Sequence, residues 1–71
     1  MMLDNDEVRE AIRIIVHKYN VELVSATRNI QMSVDVTLDE NIYWREQEKM
    51  ENEIRAIKGV QINDIDYRDV A

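Results

Sequence analysis

The chain is 71 residues long, contains no cysteine and one histidine, and carries a net charge of −6. A domain of this length lies near the lower limit for folding on a hydrophobic core alone, and the missing cysteines exclude disulfide bonds and thiolate chemistry. The hydrophobic fraction of 45% is nevertheless too high for a disordered chain. The acidic balance opposes attraction to nucleic acids and anionic membranes, and neither a membrane-spanning apolar run nor a signal-peptide pattern is present. We expect one folded cytoplasmic domain over residues 1–71, with no cofactor.

The first predicted element is a helix over residues 5–19. Asp4 has the acceptor side chain of an N-cap residue, and Glu7 follows three residues later, as a capping box requires. Asn20, directly after the last turn, tolerates the left-handed conformation that commonly ends a helix. Ile14 falls opposite the apolar stripe, so we expect its side chain to be partly exposed. The stripe contains Val8, Ala11, Ile12, Ile15, Val16 and Tyr19.

Two strands follow, where the hydrophobic period changes from helical to two. Residues 21–27 carry apolar side chains at both parities, which indicates a strand buried on both faces. The pair Arg28-Asn29 predicts a two-residue turn, because asparagine tolerates positive φ. A half-buried strand then pairs antiparallel with the first, and its apolar face contains Ile30, Met32, Val34, Val36 and Leu38.

A second helix is predicted after the hairpin. It would be capped by Asp39, or by Thr37 with Glu40 completing a capping box. Its apolar stripe contains Ile42, Tyr43, Met50, Ile54 and Ile57. Charged residues four positions apart predict two ion pairs on its flanks, Lys49 with Glu53 and Glu51 with Arg55. Gly59, the only glycine of the chain, is placed to end this helix in the left-handed conformation.

A third strand begins at Val60 and Ile62. Its alternation slips at Asn63-Asp64, which predicts a bulge or bend. The second helix is a crossover connection, so the third strand should run parallel to the second. If the third strand lies beside the first strand, the sheet would be mixed or fully antiparallel, depending on the strand order. The sequence therefore predicts an α+β fold of order αββαβ, with two helices packed on one face of a three-stranded sheet.

The stretch IKGVQINDI, from Ile57 to Ile65, is similar to the end of two families of small modules. These are the BON domain and the ring-building domain of secretion systems, in which a helix ends at Gly-Val and leads into the last strand. Gly59 and Val60 stand at that point here. The glycines that mark the central hairpin of a BON domain are absent from this chain, and both families usually follow an export signal. A helix that ends in glycine before a strand occurs in many unrelated folds, so we assign no family.

Four polar residues near the C-terminus, Asn63, Asp64, Asp66 and Asp69, have the side-chain oxygens that calcium prefers. A calcium loop of the EF-hand type also needs a glycine at its turn and a glutamate at its end, and neither is present. We therefore expect a solvated strand end and no metal site. His17, in the last turn of the first helix, has no catalytic partner that the sequence identifies. We expect the protein not to be an enzyme.

Trp44 is the residue that points most clearly to a function. On the second helix it falls about 120° from the centre of the apolar stripe, next to Arg45 and Glu48. Tryptophan and arginine outside a core are typical anchors for a protein partner; the alternative is that the helix begins later and Trp44 lies in a loop over the core edge. Ile14 and an open sheet edge are further candidate contacts. We expect a non-catalytic protein-interaction or regulatory module that binds a protein partner or self-associates.

A small nucleic-acid-binding domain is the alternative function. Arg9, Arg13 and Lys18 would form its basic ridge on the first helix. The polar face of the second strand, however, offers no aromatic side chain to stack on bases, and it contains Asp35. A nucleic-acid mimic is less consistent with the sequence, because acidic and basic residues are interleaved along both helices. Nucleic acid is therefore the less expected partner, and no membrane partner is expected.

Overall fold

The computed structural model describes residues 4–39 and 44–68, with the backbone alone at Trp44. The elements follow the order α1 (Asn5–His17), β1 (Leu23–Arg28), β2 (Val34–Asp39), α2 (Trp44–Arg55) and β3 (Ile62–Arg68). This order and the α+β class confirm the prediction. The predicted cap residue Glu40 and the predicted stripe residues Ile42 and Tyr43 lie outside the described residues.

Helix α1 begins at a side-chain cap. Asp4 Oδ1 accepts a hydrogen bond from the backbone N–H of Glu7 at 2.8 Å, and Glu7 Oε1 accepts one from the N–H of Asp4 at 3.5 Å. This is the predicted capping box. Its hydrogen bonds lower the pKa of Asp4 below the ordinary value, since they favour the carboxylate. The helix ends at His17, slightly earlier than predicted, and Asn20 takes the predicted left-handed conformation with a φ of 60°.

The three strands form one sheet in the order β1-β2-β3. β1 pairs antiparallel with β2, as the predicted hairpin requires, and β2 pairs parallel with β3. Val34 lies opposite Ile62, but the next residue, Asp35, lies opposite Asp64. Asn63 is therefore an extra residue in β3, and its Nδ2 donates a hydrogen bond to Asp35 Oδ1 at 2.8 Å. The predicted bulge is confirmed, and β1 and β3 are the two edges of the sheet.

The connection between β1 and β2 differs from the predicted two-residue turn. β2 begins only at Val34, so residues 29–33 form a longer loop, and the predicted strand start at Ile30 is wrong. The loop is closed by a hydrogen bond of 2.8 Å from Asn29 N–H to Ser33 O. The alternation of apolar and polar residues in this segment imitates a strand, although the loop lies outside the sheet.

Both helices pack on the same face of the sheet. On that face Ala26 lies opposite Val36. The buried core contains Val8, Ile12 and Val16 of α1, Met50 and Ile54 of α2, and Val21, Ala26, Val34, Val36, Leu38 and Ile62. These residues confirm the stripe of α1 and, from Val34 to Leu38, the apolar face of β2; the predicted members Ile30 and Met32 are exposed instead. β1 is not buried on both faces as predicted, because the helices cover one face only: Thr27 is exposed, and Val24, at a bulge, is 39% exposed.

Polar contacts from two other elements hold α2 in place. The phenol of Tyr19 donates a hydrogen bond to Glu53 Oε1 at 3.0 Å, and the phenol of Tyr67 donates one to Glu51 Oε2 at 2.7 Å. Lys18 Nζ forms an ion pair with Glu53, at 2.9 Å from Oε2. The helix is therefore attached to the end of α1 on one side and to β3 on the other.

The two ion pairs predicted along α2 are wrong. Glu53 faces the end of α1 and not Lys49, and Glu51 faces β3 and not Arg55. Arg55 Nη1 instead donates a hydrogen bond to Ile62 O at 3.3 Å. Partners from other elements thus replace the two predicted ion pairs, although Glu51 also accepts a hydrogen bond within the helix, from Gln47 Nε2 at 3.2 Å.

The ends of α2 match the prediction in part. Asp39 and Thr37, the alternative cap residues, both belong to β2. At the other end the helix stops at Arg55. Gly59 takes the predicted left-handed conformation, with a φ of 87°, in the turn that follows and not in the last turn of the helix itself.

Candidate interaction surfaces

One loop, the hairpin tip (residues 29–33), connects β1 to β2. Asn29 organises it: its Oδ1 accepts hydrogen bonds from the backbone N–H of Gln31 at 2.9 Å and from that of Ser33 at 3.1 Å. The backbone O of Asn29 also accepts a hydrogen bond from the N–H of Met32 at 3.0 Å. Asparagine commonly supplies such partners in turns. The backbone of the hairpin tip is therefore held by hydrogen bonds within the loop itself.

The hairpin tip exposes two large apolar side chains. Ile30 is 100% exposed and Met32 is 51% exposed. Met32 also has a positive φ of 66°, a conformation that costs a residue with a side chain about 1 kcal/mol. Exposed apolar patches and strained backbone are both features of binding sites. The hairpin tip combines them at one point of the surface.

The hairpin tip adjoins the loop that leads into β3. The N–H of Val34, directly after the tip, donates a hydrogen bond to Gln61 O at 2.8 Å. Residues 26–34 and 56–62, which include these two loops, contain none of the 15 acidic residues of the chain. The hairpin tip is therefore a loop without negative charge that exposes two apolar side chains on an acidic protein.

The alternation of apolar and polar residues did not predict this surface. Ile30 and Met32 continue the apolar parity of β2, so alternation alone predicts that both face the core. A weak signal was present in Asn29, because an asparagine side chain can accept from the backbone N–H groups of the next few residues and so close a loop. Periodicity cannot distinguish such a loop from the start of a strand.

The residues that we predicted to bind a partner lie on two helices. Ile14 is 56% exposed on the outward face of α1, as predicted. Trp44 begins α2, but its side chain lies outside the described residues. Arg45 and Glu48 are exposed on the same helix. Ile14 is thus on a different helix from the other three residues, and their joint role stays a prediction.

The sheet face that no helix covers is polar and acidic. Asp35 lies opposite Asp64, and Thr37 lies opposite Asp66. Among the described residues, no three side chains of aspartate, glutamate, histidine or cysteine are grouped so that they could hold a metal ion. Asp69, the last member of the acidic cluster, lies outside those residues. A face of this charge repels phosphate and attracts basic groups.

His17 lies beside a carboxylate in the structure. Its Nε2 lies 3.5 Å from Glu22 Oε2, and both residues line a shallow cleft of about 230 Å³ together with Asn20 and Val21. An imidazole beside a carboxylate can move a proton, but a reaction also needs a nucleophile or a bound substrate within reach. The lining of this cleft contains no serine, threonine, cysteine or lysine side chain.

The cations of the alternative nucleic-acid site do not form one ridge. Arg9 and Arg13 are about one turn apart, whereas Lys18 lies about half a turn around the axis from Arg9, at roughly 100° per residue. Arg13 donates hydrogen bonds to Glu10 from Nε, at 3.1 Å, and from Nη2. Lys18 is paired with Glu53. Glutamates thus compensate two of the three cations, and this placement does not favour the nucleic-acid interpretation.

The two described helices are short and carry charged residues. α1 has 13 residues and α2 has 12, whereas a helix needs about 20 apolar residues to cross a bilayer. Neither of them meets the length and hydropathy that a membrane span requires.

Comparisons with protein-family models, with characterised proteins and with solved structures find no match to the chain.

Proposed function

We propose that the protein is a non-catalytic interaction module that binds a protein partner through the hairpin tip. Ile30 would occupy an apolar pocket of the partner, and Met32 would pack against the edge of that pocket. The full exposure of Ile30 in a loop with a fixed backbone is the observation that carries this proposal. Burying an isoleucine side chain contributes about 1.5–3 kcal/mol. One such insertion supplies a substantial part of a micromolar affinity.

The fixed backbone of the hairpin tip supports binding by a preformed loop. Asn29 already holds the backbone, so a partner does not have to order it, and that entropic cost is avoided. Met32 has a flexible thioether side chain that adapts to an irregular surface. A narrow loop with one protruding isoleucine fits a concave pocket better than a flat surface.

A second contact through α2 belongs to the same proposal. Trp44, Arg45 and Glu48 combine an aromatic residue with charged neighbours, as binding hot spots do. If α2 joins the interface, Trp44→Ala weakens the binding of the partner that the hairpin tip holds. An unchanged affinity would remove α2 from the interface and leave the hairpin tip as the contact.

Site-specific photocrosslinking tests the proposal. A photoreactive amino acid replaces Ile30 in the full chain, expressed in its own cells, and the same amino acid at Ile14 provides the comparison. The protein that crosslinks from position 30 is purified and titrated with wild-type, Ile30→Ser and Ile14→Ser proteins. We expect Ile30→Ser to weaken binding about tenfold or more, and Ile14→Ser to change it less than about twofold.

The comparison separates the two exposed apolar surfaces. Both substitutions replace an exposed isoleucine with serine, so they alter the stability of the fold to a similar, small extent. A loss of affinity in Ile14→Ser alone would place the interface on α1 and contradict the role of the hairpin tip. Equal affinities of all three proteins would contradict both surfaces.

A further inference from the structure

The two edges of the sheet differ in how they are protected. β3 carries Asp64 and Asp66 and a bulge at Asn63, and charged side chains and bulges stop an edge strand from pairing with another chain. β1 also has a bulge, but only at its start, and its one charged residue, Arg28, is the last of the strand, so Leu23 to Thr27 carry no charge. β1 is therefore the less protected edge.

The backbone of β1 has hydrogen-bonding groups that point away from β2. In an antiparallel pair, residues that bond across the ladder alternate with residues whose N–H and C=O point outward. Asn29 and Ser33 form a hydrogen-bonded pair across the ladder, and every second pair is of this kind. Thr27, two residues before Asn29 and opposite Asp35, is therefore also hydrogen-bonded to β2. Ala26, between bonded positions, is an outward one. Its backbone offers one donor and one acceptor to an additional strand.

Helix α1 forms a wall along this edge. α1 lies over β1, and α2 lies over β3. The axes of two packed helices lie about 10 Å apart, and the outer strands of a three-stranded sheet are separated by about the same distance. Each helix axis therefore lies over an edge strand, and the outer side of the helix extends beyond that strand. At the end of α1, His17 contacts Glu22 just before β1.

We propose that the β1 edge, beside the flank of α1, accepts an extended peptide segment of a partner protein as a fourth strand. The segment bonds to the outward backbone groups of Ala26. It presents uncharged, strand-forming side chains, because residues 23–27 offer no charge for it to pair with. This surface is separate from the hairpin tip, and the proposal does not depend on the binding of Ile30.

A second copy of the chain does not fit this edge. Antiparallel pairing of β1 with β1 of another copy would place both α1 helices on the same side of the joined sheet. Neighbouring strands lie about 4.8 Å apart, whereas packed helices need about 8–10 Å, so helices that lie over those strands would collide. An extended segment without a helix of its own avoids this collision.

Amide NMR spectroscopy of the labelled full chain tests the proposal with an uncharged synthetic peptide, Ser-Thr-Val-Thr-Val-Thr-Ser, blocked at both ends. In the chain alone we expect the amide of Ala26 to exchange with solvent faster than that of Thr27, which bonds to β2. The peptide should shift the Ala26 resonance and slow its exchange. Val24→Lys puts a charge on the edge, and Ala26→Pro removes the outward N–H, so each should weaken peptide binding about tenfold or more.

Two control variants report on the other surfaces. Asp66→Lys changes the β3 edge and Ile30→Ser changes the hairpin tip, and both should bind the peptide as the wild type does. The dispersion of the amide spectrum shows whether each variant is folded; Val24→Lys, at a partly exposed position, decides the test if Ala26→Pro does not fold. The proposal is overturned if millimolar peptide leaves the Ala26 amide unchanged or shifts only β3. A dimer that protects this amide without peptide would also overturn it.

Discussion

At the scale of single residues, Asn29 determines the hairpin tip because its side chain takes the place of several backbone partners. Its Oδ1 accepts from the N–H groups of Gln31 and Ser33, which have no strand ladder to bond to. Within this arrangement Met32 has a φ of 66°. A glycine would adopt that angle without a clash of Cβ. Because the sequence has methionine at this position, the backbone of the loop is strained.

Met32→Gly and Met32→Ala separate this backbone strain from the loss of the side chain. Both substitutions remove the thioether, but only glycine takes positive φ without a steric cost. We expect Met32→Gly to be more stable than Met32→Ala by about 1 kcal/mol. Urea denaturation followed by far-UV circular dichroism measures the difference. Alanine as stable as glycine would contradict the left-handed conformation at this position.

At the scale of elements, α2 depends on polar contacts that titrate. Burial and the hydrogen bond to Glu51 raise the pKa of Tyr67, and burial and the hydrogen bond to Glu53 raise the pKa of Tyr19. The contacts with Lys18 and Tyr19 lower the pKa of Glu53. A raised tyrosine pKa stabilises the fold below the unfolded value of about 10, and this contribution is lost as the pH rises further. The lowered pKa of Glu53 stabilises the fold above about pH 4.5, and this contribution is lost as the pH falls.

Tyr67→Phe isolates one of these contacts. The substitution keeps the ring but removes the hydrogen bond to Glu51, and we expect it to cost about 1 kcal/mol or less at pH 7. The wild type should lose its advantage over the variant progressively above about pH 10, as its phenol ionises. Urea midpoints of both proteins at about pH 7 and pH 11 check this. The same difference at both values would mean that the phenol does not stabilise α2 through its proton.

Features that are set by residues close together in the sequence could be predicted from the sequence. The cap of α1 needs only Asp4 and Glu7, and the bulge at Asn63 follows from a change of parity within one strand. The ion pairs of α2 could not be predicted in this way. Glu53 bonds to the end of α1, and Glu51 accepts from Tyr67 of β3 as well as from Gln47 within the helix, so spacing along one helix does not give the partners that other elements supply.

The candidate surfaces were predictable to a smaller extent. The exposure of Ile14 follows from its position opposite the stripe of α1. The exposure of Ile30 does not follow from any periodicity, because the loop shares the parity of β2. The open β1 edge depends on the place of β3 beside β2. The crossover favours that place, but the sequence left the strand order open.

At the scale of the whole molecule, charge separates the surfaces. The uncovered sheet face carries Asp35, Asp64 and Asp66, whereas the hairpin tip and the loop before β3 carry no acid. The cations of α1 lie among acids, since Arg13 is bonded to Glu10. With a net charge of −6, the molecule as a whole repels polyanions. An apolar contact of the hairpin tip is less affected by that repulsion than an electrostatic one would be.

Chromatography on heparin at low salt tests the alternative function of the whole molecule. Phosphate-like contacts are strongest at low ionic strength, so a nucleic-acid-binding domain should be retained there and released as salt rises. We expect the wild type to pass unretained, because the charges of Arg13 and Lys18 are compensated by glutamates. Arg9→Glu, which removes the cation that pairs with no glutamate among the described residues, should elute at the same volume. Retention of the wild type, together with its loss in this variant, would instead establish a polyanion site on α1.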